Sequence, residues 1–172
     1  MRSLPNLATG AKNAGFTLVE LVVVILILGI LAATALPRFM DVSTEAHKAA
    51  VSGASGGFSA GVALAHAQWF ANGASTTAID NISGFGDSTI DVNTSGWPTD
   101  TAGTNVLSTA AHCSSVWSGV MQNPPTIATS GTTTDYTATV SGTVCTYTYN
   151  KDSTTRTIAY ESADGTVTIV NP

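Results

Sequence analysis

Charge is scarce in this sequence. Asp, Glu, Lys and Arg make up 10% of its 172 residues, against about 25% in an ordinary soluble domain, so Ser, Thr, Asn and Gly must cover the surface. Positive charge is scarcest: six Lys and Arg stand against eleven Asp and Glu, a formal net charge of -5. Such a surface repels phosphate backbones, so nucleic acid is not an expected direct ligand. Cysteine is almost absent. Cys113 and Cys145 are the only two, and without the paired C-x-x-C spacings of a zinc site a disulfide is the better reading. His47, His66 and His112 are far apart and lack ligand spacing, so no metal or cofactor is expected. The length allows one domain of ordinary size, with nothing to suggest two.

What the chain does have is one long apolar run, and the rest is arranged around it. Gly15-Phe16-Thr17-Leu18-Val19-Glu20 leads into Leu21 to Pro37, built from Leu, Val, Ile and Ala with Gly29 and Thr34 interposed. Phe16 to Leu36 is 21 residues, and at about 1.5 Å of rise per residue a helix of that length spans roughly 30 Å, the hydrocarbon thickness of a bilayer. Glu20 does not fit a plain anchor, because a carboxylate in that setting costs free energy and usually pairs with something. Residues 1–15 carry Arg2 and Lys12 but no apolar core. They resemble a secretory signal whose cleavage point lies before the hydrophobic run. Cutting between Gly15 and Phe16 would keep the anchor and create a cationic amine four residues from Glu20. It would also leave four basic against eleven acidic side chains. Arg2 and Lys12 keep the leading end cytoplasmic and send the remainder to an oxidising compartment, although Arg38 sits on the opposite flank with Asp41 and Glu45 close behind.

The helical period continues past the anchor. Phe39, Val42, Ala46, Ala50, Ala54, Phe58, Val62, Ala65 and Trp69 recur at three- or four-residue steps until Asn72-Gly73. Pro37 removes a backbone hydrogen bond and clashes with the preceding turn, so a kink or melted turn is expected between Gly29 and Pro37, with two separate helices as the alternative. Gly53, Gly57 and Gly61 let another backbone approach closely, which suits a helix packed on a sheet at one side and on sister helices at the other. A poorly formed helix end is the plainer alternative. Gly53-Ala54-Ser55-Gly56-Gly57 matches the G-x-S-x-G elbow of hydrolases, but that motif needs a strand before it and here the helical pattern precedes it.

Residues 72–105 turn to Gly, Ser, Thr, Asn and Asp with dispersed apolar residues, a long loop or weak strand. Asp80, Asp87 and Asp91 have no EF-hand spacing and read as turn residues. Asn81-Ile82-Ser83 and Asn93-Thr94-Ser95 have the form of glycosylation sites that is common by chance. Val106 to Met121 reads as a short amphipathic helix bearing Cys113 and stopping at Asn123-Pro124-Pro125. Four β-patterned runs follow, around Tyr136–Val140, Val144–Tyr149, Ile158–Tyr160 and Val167–Ile169, with turn residues between them: an antiparallel meander.

The leader, Gly15-Phe16, Thr-Leu-Val-Glu and the apolar run resemble the type IV prepilin signature, shared by type IV pilins and the pseudopilins of type II secretion. The resemblance implies an α+β pilin fold: a long N-terminal helix, its outer half on an antiparallel sheet of about four strands, and one disulfide, Cys113–Cys145. It divides the chain into a leader (1–15), a membrane and filament-core helix (16–37) and an outer domain (38–172). It further implies no enzymatic activity. It implies a peptidase that cuts after Gly15 and methylates the Phe16 amine, and an inner-membrane machine that packs the subunits into a helical homo-oligomer, an extracellular pilus used in adhesion, with Glu20 paired to the Phe16 amine of a neighbour. Val51–Phe58, Ala65–Trp69 and Gly96-Trp97-Pro98 look most like pilins of the mannose-sensitive haemagglutinin (MSHA) type. A pseudopilin, or a monomeric periplasmic binding module on an uncleaved anchor, are the competing readings.

Overall fold

The computed structural model describes residues 15–172. Residues 1–14, which are the expected leader except for Gly15 and include Arg2 and Lys12, lie outside the described residues. One helix, α1 (Leu18–Ala71), contributes to two compact units, the first ending at Val42 and the second running from Ser43 to Pro172. The helical assignment passes through Pro37 without interruption, so of the two expected forms the melted turn is not formed. α1 stops where Asn72-Gly73 predicts. Gly73 takes a φ of +102°, its N–H donates to the Phe70 carbonyl and the Ala74 N–H donates to that of Trp69. That pair of bonds satisfies two terminal carbonyls in a Schellman cap, whose left-handed residue costs glycine nothing.

In the second unit, α1 buries Val51, Phe58, Val62, Ala65 and Trp69. The inner stripe therefore begins at Val51. Ala46 and Ala50, expected on it, are exposed, as is Val42 at the end of the first unit. Periodicity alone fixes the spacing of a stripe, while the facing sheet decides which of two adjoining stripes is covered.

The region after α1 is more ordered than a loop. β1 (Asp91–Val92) and β2 (Pro98–Asp100) pair antiparallel, and Ile79 bridges to Val92. α2 (Ala110–Val120) starts later than Val106, because Thr109 caps it by accepting the His112 N–H, the usual role of a threonine with extended backbone at a helix start. The main sheet has five strands in the order β3 (Ile127–Ala128), β4 (Tyr136–Ser141), β5 (Val144–Tyr149), β6 (Thr157–Glu161) and β7 (Val167–Val170). The four expected strands form an antiparallel meander, and the unforeseen β3 adds a short parallel edge on β4. Two residues after a Pro-Pro pair are too few to carry a period, so no pattern announced it. The core lies between α1, α2 and one face of this sheet. There the Phe58 ring stacks on Trp117 with centroids 5.3 Å apart and meets Tyr147 and Tyr160 edge-on.

Candidate functional site, an apolar anchor and an uncharged helix face

The first unit begins with a helix cap. Thr17 donates both its N–H and its hydroxyl to a Glu20 carboxylate oxygen, each at 2.9 Å, and accepts the Glu20 N–H at 3.2 Å. This reciprocal capping box satisfies donors that a helix start would otherwise leave open. Sequence reasoning sought a partner for Glu20 in another subunit and passed over Thr17 three residues before it, although T-x-x-E is itself a capping signal. The Phe16 side chain is 91% exposed, and a β-carbon at Gly15 would meet no described residue within 4 Å.

From Leu18 to Ala35 the helix has a mean hydropathy of 2.8 with none of it buried, which by length and composition suits a bilayer. Gly29 likewise has no neighbour for a β-carbon. Thr34 returns its hydroxyl to the Leu31 carbonyl at 3.0 Å, so the one hydroxyl of this stretch is hydrogen-bonded within the helix.

In the second unit, α1 carries a stripe of small, uncharged residues beside its core-facing side. Ala49, Gly53, Gly57, Ala60 and Leu64 line one wall of a shallow groove of about 530 Å³, and Met121 to Pro125 contribute to the other. Gly53 and Gly56 have open space above them, a β-carbon on Gly57 would meet the Met121 sulfur at 3.9 Å, and among these four only Gly61 is pressed against another backbone, at Val120. The G-x-S-x-G residues sit inside a continuous helix, which cannot form the strand-to-helix elbow that exposes a nucleophilic serine.

The cysteines, the three histidines, Asp91 and Asn93 are committed to structure. Cys113 and Cys145 form a disulfide that joins α2 to β5, with both residues fully buried. Tyr147 donates to the Cys113 carbonyl at 3.0 Å. His47 Nδ1 lies 3.0 Å from the Tyr149 hydroxyl, His66 Nδ1 donates to the Gly96 carbonyl while its ring stacks on Trp97, and His112 Nδ1 lies against the Val106 carbonyl. Asp91 is buried and its carboxylate accepts the N–H groups of Asn81, Gly103 and Thr104. The Asn93 amide donates to the Ser162 carbonyl and accepts the N–H groups of Ser95 and Trp97. Among the described residues, no group of three His, Cys, Asp or Glu side chains could hold a metal ion.

Arg156 escaped sequence reasoning altogether. It is fully buried, its Nε donating to Asp152 at 2.7 Å and its Nη1 to the Asn171 side chain at 2.6 Å and to the Pro172 carbonyl. The Asn171 amide in turn donates to the Lys48 carbonyl and to Ser52 on α1. This network ties the end of β7 to the outer helix. The guanidinium beside Asp152 holds that carboxyl below the usual carboxylate range, because a hydrogen-bonded cation favours the charged form.

An exposed apolar helix long enough to cross a bilayer leads into an α+β domain with a disulfide, a bond that persists in oxidising compartments. Comparison with known proteins narrows the reading. Residues 10–36 match the prokaryotic N-terminal methylation motif. Over 57 residues the chain is 42% identical to the type IV narrow pilus major component PilA5 of Thermus thermophilus, a stretch covering 33% of this chain and 49% of that protein. The chain thus spans about half the length of the curated relative it matches. No solved structure matches it. The motif and the relative together support a type IV pilin, a class of structural subunits and not of enzymes.

Proposed function

We propose that this chain is the major structural subunit of an MSHA-like type IV pilus, polymerising through its N-terminal helix into an extracellular filament for attachment to surfaces. One observation carries the reading: the methylation motif at residues 10–36 coincides with an apolar helix, Leu18–Ala35, that is not buried among the described residues. Such a surface must be covered by lipid or by other copies. The uncharged stripe Ala49–Leu64 supplies a second face without charges to repel a sister helix. Small residues at four-residue spacing there allow close backbone approach.

In this reading the peptidase cuts between Gly15 and Phe16 and the new Phe16 amine is methylated. Inner-membrane assembly machinery then draws the subunit from the bilayer into the filament, with the outer domain on the periplasmic side beforehand. Glu20 pairs with the Phe16 amine of a neighbouring subunit, since a carboxylate in an apolar filament core needs a cation. Pro37, with Gly29 a little over two turns before it, gives the helix a place to bend as subunits pack. The test is the mass of the mature protein with its N-terminal residue identified, together with electron microscopy of the cell surface. The expected result is a methylated Phe16 terminus on protein recovered from filaments. An intact leader, or a mature protein found only as membrane monomers, would overturn the reading.

A further inference from the structure

The sheet face turned away from α1 carries a regular pattern that filament assembly does not require. Tyr136, Ala138, Tyr147, Ile158 and Tyr160 point into the core, so the pleat turns the residues between them outward. Strand register sets these in two rows across the sheet. Thr137, Thr148 and Thr157 stand side by side and end on Val170. Thr139, Thr146, Ala159 and Thr168 form the second row. Neighbouring strands lie about 4.8 Å apart and alternate residues along a strand about 6.8 Å apart, so methyl and hydroxyl groups recur on a near-rectangular net. Branching at the β-carbon restricts χ1 and holds each pair of groups in place.

Neither row contains a charged or aromatic side chain. A protein partner is usually gripped by Trp, Tyr or Arg, and an anionic ligand by Arg or Lys. A sugar lattice would need aromatic rings to lie on, and here the aromatic rings of the sheet face the other way. The hydroxyls of Thr146, Thr148, Thr157 and Thr168 make no hydrogen bond to the described residues, while those of Thr137 and Thr139 donate to the Gly131 and Thr146 carbonyls. Free hydroxyls alternating with methyl groups at these intervals, close to the oxygen repeats on the faces of ice, suit a layer of ordered water. We propose that this threonine net binds ice, with β5 and β6 at its centre. Sheet twist of about 20° per strand confines the match to adjacent strands, so each domain offers a small patch.

The experiment follows ice-grain growth in a frozen sucrose solution containing the full chain in detergent, against a detergent blank. The native chain and a Thr132→Lys control, charged but outside the net, should slow grain coarsening. The Thr146→Lys/Thr148→Lys pair should lose the effect while keeping the native melting temperature. If that pair unfolds, Thr168→Lys on the exposed edge strand makes the same comparison. Coarsening equal to the blank, or slowing that survives these substitutions, overturns the proposal.

Discussion

Gly61 and Val120 meet backbone to backbone. A β-carbon built on Gly61 would fall 2.2 Å from the Val120 carbonyl oxygen, a position no rotamer change can relieve, because the obstruction is the main chain at the end of α2. Gly61→Ala must therefore push α2 off α1 and should lower the melting temperature by several degrees. Gly53 is on the same stripe with nothing within 4 Å of its β-carbon position. Gly53→Ala should raise stability, since alanine is favoured over glycine in a helix interior by roughly 0.5–1 kcal/mol. Thermal unfolding of the two variants in detergent checks both. Equal shifts would mean that the contact at Gly61 does not limit packing.

The Cys113–Cys145 bridge closes a loop with a sequence separation of 32. In the chain-entropy picture such a link is worth about 3 to 4 kcal/mol. Reduction, or Cys145→Ala with Cys113→Ala, should lower the unfolding free energy by that amount. Alkylation of unfolded, unreduced protein should find no free thiol, and two modified cysteines would refute the bridge.

The sequence makes the long helix, the disulfide pair and the four-strand meander legible because each rests on a local period or on a shortage: two cysteines have few partners, and β-branched runs between turn residues have few alternatives. It hides what depends on burial. Asp91 looks like one acidic turn residue among three, yet it is enclosed by the N–H groups of Asn81, Gly103 and Thr104, and no spacing rule singles it out. Arg156 is a lone cation among threonines until tertiary packing sets Asp152 and Asn171 beside it. The candidate site divides in the same way. The anchor and Glu20 stand out because charge and hydropathy conflict there, while the groove over Gly53 and Gly57 exists only once α2 has supplied its second wall.

Acid should loosen the Arg156 network. Asp152 has its folded-state pKa lowered, first by the hydrogen bond from Arg156. A depressed carboxyl contributes stability that is present above the unfolded value, about 3.9, and is lost as pH falls through the lower folded value. Asp135, lowered first by its hydrogen bond with the Thr126 hydroxyl, acts in the same direction. The melting temperature should therefore drop as pH is taken below about 4, and Asp152→Asn should flatten part of that dependence while lowering stability at pH 7. An unchanged acid limb in Asp152→Asn would show that other carboxylates govern it.

Glu20 has two separable duties. Its carboxylate caps α1 through Thr17, and in the proposed filament its charge meets the Phe16 amine of a neighbour. Glu20→Gln keeps a side-chain oxygen able to accept from Thr17, because glutamine serves at the third position of a capping box as glutamate does. It removes only the charge. Glu20→Ala removes both. If capping is what assembly requires, the glutamine variant should form pili at native abundance and the alanine variant should not. If charge pairing is what matters, both should insert into the membrane, be cleaved and fold, and both should leave filaments scarce, since a buried ammonium without its counter-ion is strongly disfavoured. The proposal predicts the second pattern. Electron microscopy of cells carrying matched amounts of each subunit reads it out, and abundant pili from Glu20→Gln would remove the charge from the mechanism while leaving the cap in place.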